Sequence, residues 1–207
     1  MSTDGPSAPL RGPAVRPISS LTVADVMSPG VVLVHPGDAL GDVLAGMVAR
    51  RHSCAVVARE RRPVGILTEW DVARLADMGV GLATPVGEVM TAPVATVPAD
   101  RGFRAAWAEL RRRGIRHLVV VDASGEACGV VSQTDLRRHL GGEIVRRLGG
   151  LEAVLDRDIP AFPREALLSA AVAGMRGARS SFVLVVDGRR PVGIVTERDL
   201  PRLLLQG

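Results

Sequence analysis

PVGILTEWD, at residues 63–71, recurs along the chain as ACGVVSQTD at residues 127–135 and as PVGIVTERD at residues 191–199. The glycine of each segment lies 64 residues after the glycine of the segment before it. Between residues 61–71 and residues 189–199, nine of eleven positions are identical. A constant spacing of this kind indicates an internal repeat. We therefore predict three copies of one unit, at residues 20–82, 83–147 and 148–207, after a disordered tail at residues 1–19 that is rich in Pro, Gly and Ser.

Each copy carries helical and extended periodicities in the same order. Apolar residues at helical spacing mark the first helix of the copies: Leu40, Val43, Leu44, Met47 and Val48; Phe103, Ala106, Trp107 and Leu110; Leu168, Ala171, Val172 and Met175. Asp38 precedes the first of these stripes and is a suitable N-cap. Apolar runs and turn residues follow, and a second helix starts at the Ser or Thr of the repeated motif. Each unit is therefore predicted to be strand, helix, strand, strand, helix, in an α+β fold.

A unit of roughly 60 residues buries little apolar surface alone, so such units are expected to pair. We expect copies one and two to cover each other within the chain. The third copy then keeps an uncovered face, formed by the helix stripe from Leu168 to Met175 and by the strand at residues 182–186. A second chain can cover this face by a two-fold contact, so we predict a homodimer held partly by the third copy. Pairing of copies two and three, with copy one left free, would also give a dimer.

The composition excludes several classes of protein. Apolar residues make up 47% of the 207 residues, which excludes a disordered chain. No apolar run is long enough to cross a bilayer and no secretory leader is visible, so a reducing cytosol is the expected setting. The two cysteines and four histidines share no metal-ligand spacing: Cys54, Cys128, His35, His52, His117 and His139. We find no catalytic constellation, and we predict no enzyme activity, no metal and no required cofactor.

The order of these motifs resembles the CBS domain, named after cystathionine β-synthase, over residues 21–205. The resemblance rests on four features, in this order: VM before the first strand, a helix, the strand IRHLVVVD at residues 115–122, and GVVSQTDL at residues 129–136. The resemblance implies that two units pack sheet to sheet and that the cleft between them binds AMP, ADP, ATP or S-adenosylmethionine. It also implies a regulatory protein. The chain departs from the family in having three units, where two or four are usual.

The repeated motif is the candidate ligand site. It lies where a strand ends and a helix begins, so backbone N–H groups can bind a phosphate, the Ser or Thr hydroxyl can add a hydrogen bond, and the Asp can accept from a ribose. The stretch before the second strand of copy two resembles the phosphate-contacting stretch of nucleotide-binding members. The predicted ligand-binding residues are Thr68, Asp71, Arg116, His117, Ser132, Asp135, Thr196, Arg198 and Asp199. We expect Asp71→Asn and Asp199→Asn to weaken ribose binding more than the fold.

Three functions remain open on the sequence. The first is sensing of an adenosyl ligand, with a signal passed to a regulated protein that the sequence does not identify. The second is a scaffold without ligand, because a capping box explains the same Ser/Thr and Asp residues. The third and weakest is nucleic-acid binding through Arg111, Arg112, Arg113 and Arg116, in a chain with few aromatic residues.

Overall fold

The computed structural model describes residues 20–144, 158–178 and 180–205. The elements, in chain order, are α1 (Val23–Val26), β1 (Ser28–Pro29), β2 (Leu33–Val34), α2 (Leu40–Arg50), β3 (Cys54–Arg59), β4 (Arg62–Thr68), α3 (Glu69–Asp77), α4 (Val86–Val89), β5 (Thr96–Pro98), α5 (Phe103–Arg113), β6 (His117–Val121), β7 (Ala127–Ser132), α6 (Gln133–Ile144), β8 (Ala161–Pro163), α7 (Leu168–Ala178), β9 (Phe182–Asp187), β10 (Arg190–Thr196) and α8 (Leu200–Leu204). A single 3₁₀ turn, Glu197–Asp199, joins β10 to α8. The predicted tail and the boundary between copies two and three lie outside the described residues.

The predicted order of strand, helix, strand, strand, helix is confirmed in every copy. In each sheet the first strand runs parallel to the second, and the second pairs with the third in antiparallel fashion. The parallel pair needs a crossover, which the helix between the two strands provides. The antiparallel pair is joined by a tight turn, so the third strand ends beside the start of the second.

Short segments are exchanged between copies one and two. The strand β1 pairs with β7 of copy two, and α1 contributes Val23 and Val26 to the core of copy two. In return, α4 contributes Val86 to the core of copy one, and Thr91 pairs with Ile66 of β4 through two backbone hydrogen bonds. Each of the two packed units therefore includes a short segment from the sequence of the other copy.

Copies one and two pack sheet to sheet, as predicted. Val56 and Ile66 of the first sheet lie in one buried cluster with Val119 and Val130 of the second. These four side chains are less than 10% exposed. Each is an alternate residue of its strand, so the other face of each sheet remains available to its own helices.

The third copy packs against the first by its helices. The short helix α8 lies against α2 and α3, and Leu200 and Val172 join the core of copy one. Ala171 and Met175 are also buried, in a cluster with Val183. The prediction that this helix stripe forms an uncovered face is therefore wrong for Ala171, Val172 and Met175, which are buried within the chain.

The uncovered part of copy three is instead the opposite face of its sheet. Val192 is 52% exposed and Ile194 is 54% exposed, both on β10. Leu184, directly opposite Ile194 on β9, is half-buried. Leu168, at the first position of α7, is also exposed.

Asp38 does not cap α2. The residue before the helix is Ala39, and Asp38 Oδ2 instead accepts the backbone N–H of His35 at 2.8 Å. The carboxylate therefore closes the turn that precedes the helix. Within residues 20–144, 158–178 and 180–205, we find no helix with the length and apolar character that a bilayer crossing requires.

Candidate functional site

The repeated motifs of all three copies meet at one cavity of about 780 Å³. Each copy contributes two segments, namely the motif at the start of its second helix and the residues just before its second strand. Six of the nine predicted ligand-binding residues line it: Arg116, His117, Ser132, Asp135, Thr196 and Arg198. The structure therefore brings together most of the predicted site, and it does so between three copies rather than two.

One backbone hydrogen bond, present in every copy, builds this arrangement. The N–H of Glu69 donates to the carbonyl of Ser53, that of Gln133 to Arg116, and that of Glu197 to Ser181. The bond ties the start of the second helix to the start of the second strand. It also uses one of the N–H groups at the helix start, which leaves fewer of them for an anion.

The Asp of each motif is a capping residue. Thr68 donates its N–H and its hydroxyl to Asp71 Oδ2, both at 2.8 Å, and Thr91 donates its hydroxyl to Asp71 Oδ1 at 2.8 Å. The same pair of bonds links Ser132 to Asp135 and Thr196 to Asp199. Thr68, Asp71 and Asp199 do not line the cavity. Both oxygens of Asp71 are already occupied, so its first role is to hold the turn.

Arg116 connects the three copies. It belongs to copy two, its Nη1 lies 2.5 Å from Glu197 Oε2 of copy three, and its guanidinium lies 5.0 Å from the ring centroid of Trp70 in copy one. A guanidinium over an indole face is attracted by the ring quadrupole. The equivalent residues of the other copies are Ser53 and Ser181. Only copy two therefore has an arginine at this position, and that arginine makes the contact with the other two copies.

His117 lies beside Arg116 and is kept neutral. Burial, and then the charge of Arg116, lower its pKa from 6.5 to about 4. Ser53 Oγ of copy one lies 3.1 Å from its Nε2, so a second polar contact joins copies one and two at the cavity. A neutral imidazole at physiological pH can donate one hydrogen bond and accept another, but it cannot pair with a phosphate as a cation.

Glu69 and Glu197 are functional candidates that the sequence-based prediction missed. They follow the Thr of their motifs, they are 9% and 4% exposed, and both line the cavity. Burial is the main reason that the pKa of Glu197 is raised. One feature of the sequence could have indicated these residues. The residue that follows the Ser or Thr of the motif is Glu in copies one and three and Gln in copy two.

The cavity combines these carboxylates with an excess of arginine. Its lining includes Arg51, Arg116, Arg137, Arg138 and Arg198. Guanidinium groups bind phosphate and carboxylate in a bidentate geometry, through two parallel N–H···O hydrogen bonds. Cys54 also lines the cavity, but burial raises the pKa of its thiol to about 12, so it is no nucleophile. In the described part of the chain, no three His, Cys, Asp or Glu residues are grouped to hold a metal ion.

The four arginines considered for nucleic-acid binding have different surroundings. Arg112 and Arg113 both donate to Glu109 on their own helix. Arg116 faces the cavity and pairs with Glu197. Half of this group is thus engaged in local pairs, and one member is directed to the cavity.

Comparison with known proteins defines the family. The family model of the CBS domain matches residues 23–77, 86–142 and 151–206. These matches cover well over half of the chain, so the chain belongs to the CBS domain family and carries three consecutive CBS domains.

Individual relatives match parts of the chain or its fold. Homoserine O-acetyltransferase of Methanococcoides burtonii is 30% identical over 122 residues, which are 58% of this chain and 24% of the relative. The chain spans 24% and 43% of the lengths of the first two curated relatives. Protein MJ1225 of Methanocaldococcus jannaschii has the same fold, with a TM-score of 0.73, 19% identity, and coverage of 89% of this chain and 72% of that one. The CBS domain of a bacterial CNNM/CorC family Mg²⁺ transporter, solved in complex with ATP, has a TM-score of 0.53 and 26% identity, covering 60% and 90%.

Glu69→Gln is expected to remove part of the pH dependence of stability. Burial raises the pKa of Glu69 from 4.5 to about 7, although Arg198 opposes the shift. The folded state thus keeps a proton that the unfolded chain releases, and the free energy of unfolding falls by about 2 kcal/mol between pH 4.5 and pH 7. Urea unfolding of both proteins at pH 4.5, 6 and 8 measures the difference between them. A difference that stays constant over this range would contradict the assignment.

Proposed function

We propose that this protein senses an adenosyl ligand, such as AMP, ADP, ATP or S-adenosylmethionine, and passes the signal to a regulated protein. The observation that carries this proposal is the cavity in which the repeated motifs of three CBS domains converge with five arginines. The ATP complex of the CNNM/CorC relative adds support, since that protein is similar in sequence as well as fold. Membership of a largely regulatory family also supports binding without turnover, and the two free thiols suit a cytosolic setting.

The residues of the cavity have distinct proposed roles. Arg116 and Arg198 bind the anionic group of the ligand, and Ser132 and Thr196 add hydroxyl contacts. Asp135 and His117 offer hydrogen-bonding groups at the cavity wall. Thr68, Asp71 and Asp199 hold the motif turns in place by capping, and act on the ligand through that geometry.

The proposed signal is a change in how copy three docks. An anionic ligand group competes with Glu197 for Arg116, and so weakens the ion pair that joins copies two and three. Copy three is also held by Leu200 in the core of copy one, next to the same turn. A ligand with different affinity for the paired and the released arrangement shifts the population between them. The regulated protein would then bind one of the two arrangements.

A thermal-shift panel tests ligand binding. A ligand present at 100 times its dissociation constant stabilises the folded state by about 2.7 kcal/mol, which raises the melting temperature by several degrees. We expect at least one of the four compounds to do so. Arg198→Ala should reduce the shift, whereas Arg189→Ala, at an exposed turn of the same copy outside the cavity, should leave it unchanged. No shift with any compound, checked by calorimetry, would overturn the proposal and favour the scaffold.

We also propose that the chain forms a homodimer through the exposed sheet face of copy three. Ile194 and Leu184 form the cross-strand pair that corresponds to Ile66 and Val56 in copy one. The copy-one pair is covered by the sheet of copy two, whereas Ile194 is 54% exposed. The same face of a second chain offers a self-complementary cover for these apolar groups.

Ile194→Asp is expected to convert the dimer to a monomer. The two-fold contact would bury the new carboxylates of both chains in an apolar interface, close to each other, and burial of an unpaired charge is costly. Light scattering at micromolar concentration should give twice 21.8 kDa for the wild type and 21.8 kDa for the variant. Leu168→Asp, at an exposed apolar residue on α7, is the control that should remain dimeric. A wild-type monomer, or an Ile194→Asp dimer, would refute this contact.

A further inference from the structure

We propose that the cavity contains a subsite for positive charge, formed by Glu69 and Glu197, and that its ligand carries a cationic group beside its anionic one. This inference rests on the proposed function, because it concerns the same cavity. It narrows the ligand from any adenosyl compound to one with both signs of charge. An ammonium or sulfonium group and a bound divalent cation are the two sources of such a charge.

The first observation is an oxygen atom that lacks a partner. The side chain of Glu197 is 5% exposed, and Arg116 satisfies its Oε2. Its Oε1 is buried and accepts no hydrogen bond from the described residues. Buried carboxylate oxygens almost always have a partner, since each is costly to remove from water without one. An unpartnered acceptor at a cavity wall therefore points to a donor that arrives with the ligand.

The second observation is another buried carboxylate in the same cavity. Glu69, from copy one, occupies the motif position equivalent to Glu197 and is 9% exposed. No hydrogen bond from a described residue reaches its carboxylate. Both carboxylates line the same cavity, and the charges of Arg198, Glu197 and Arg116 all act on Glu69. Two buried carboxylates repel each other, and a cation between them removes that repulsion.

A purely anionic ligand does not fit this part of the cavity. If it takes Arg116 from Glu197, it leaves that buried carboxylate without its ion-pair partner, which is costly in a low-dielectric site. A ligand that brings its own cation replaces the lost partner at the same moment. The remaining arginines of the cavity still bind its anionic part. Copy three, which supplies Glu197, is therefore the copy that sets the charge preference.

Titration calorimetry on the full chain tests the subsite with matched ligands. Decarboxylated S-adenosylmethionine carries a sulfonium and an ammonium but no carboxylate, and 5′-methylthioadenosine has the same nucleoside without either cation. ATP is titrated with and without Mg²⁺. We expect either decarboxylated S-adenosylmethionine to bind at least tenfold tighter than methylthioadenosine, or Mg²⁺ to tighten ATP by a similar factor. The first result identifies an organic cation and the second a metal.

The preference should depend on Glu197. In Glu197→Gln the tenfold factor is expected to fall below threefold, while binding of methylthioadenosine or metal-free ATP stays the same or strengthens. Glu165→Gln, at an exposed carboxylate of the same copy, is the control with unchanged preference. Thermal melting verifies that each variant is folded. Ligands that bind without preference for a cation, or a preference that survives Glu197→Gln, would overturn the subsite alone. No binding of any ligand would overturn the proposed function as well.

Discussion

Replacing Arg116 by Met should lower the free energy of unfolding by about 3 kcal/mol, because it leaves the buried carboxylate of Glu197 without its counter-charge. Glu197 is 5% exposed and Arg116 is 32% exposed, so the pair is largely but not fully removed from solvent. That partial exposure places the expected loss at the lower end of the range for buried pairs. The variant also loses the guanidinium contact with Trp70, so it loosens the junction of all three copies.

Two further variants separate the ion pair from general damage. In the double variant Arg116→Met with Glu197→Met, most of the stability should return, because no charge is left unpaired. Arg113→Met removes a guanidinium at the same 2.5 Å distance from a carboxylate, that of Glu109, but on an exposed helix surface. Its effect on stability should be small. Urea unfolding measures all four proteins, and an Arg116→Met variant as stable as Arg113→Met would contradict the role of Arg116.

Gly65→Ala should cost about 3 kcal/mol and Gly129→Ala about 2 kcal/mol, because each glycine is covered by a methionine of an exchanged segment. A Cβ at Gly65 would overlap Met90 Sδ, and a Cβ at Gly129 would lie 2.5 Å from Met27 Sδ. Methionine is flexible and can move, but both side chains are partly buried and pack against the cores of the paired copies. The change therefore strains the contact by which copies one and two exchange segments.

Gly193→Ala is the matched control at the third repeat position. The nearest atom to its Cβ would be Val185 Cβ at 3.8 Å, an ordinary contact, so the change should be less than about 0.5 kcal/mol. The three substitutions are chemically identical and lie at equivalent positions of the three β-strands. Denaturant unfolding gives the ranking directly. Equal losses in all three would show that the cost comes from the strand backbone and not from the exchanged methionines.

The sequence was sufficient to predict the repeat, the order of elements and the pairing of copies one and two. Those features follow from local patterns, such as the helix stripe that begins at Leu40 and the capping box at Thr68 and Asp71. The continuous apolar run from Cys54 to Ala58 likewise marks a buried strand. A local rule failed only at Asp38, where the carboxylate closes a turn and does not cap the helix.

The rest depends on contacts between distant segments. Nothing near Met27 or Met90 in the sequence indicates that each covers a glycine of the other copy. Copy three docks on copy one through Leu200 and thereby buries Val172 of its helix stripe. The sequence argument, in which copies one and two pair and copy three is left over, assigns that stripe to a second chain. For the same reason Glu69 and Glu197 read as ordinary first-turn acids, and become candidate ligand groups only when three copies place them in one cavity.

Fluorescence of Trp70 gives the most direct test of ligand binding where the three CBS domains meet. Trp70 lines the cavity, and the chain has one other tryptophan, Trp107, which packs against the core of copy two. In Trp107→Phe, titration with S-adenosylmethionine or ATP should change the Trp70 emission saturably, with the dissociation constant found by calorimetry. In Trp70→Phe, the emission of Trp107 should stay constant over the same titration. Calorimetric binding without any change in Trp70 emission would place the ligand elsewhere, and the absence of binding would contradict the account altogether.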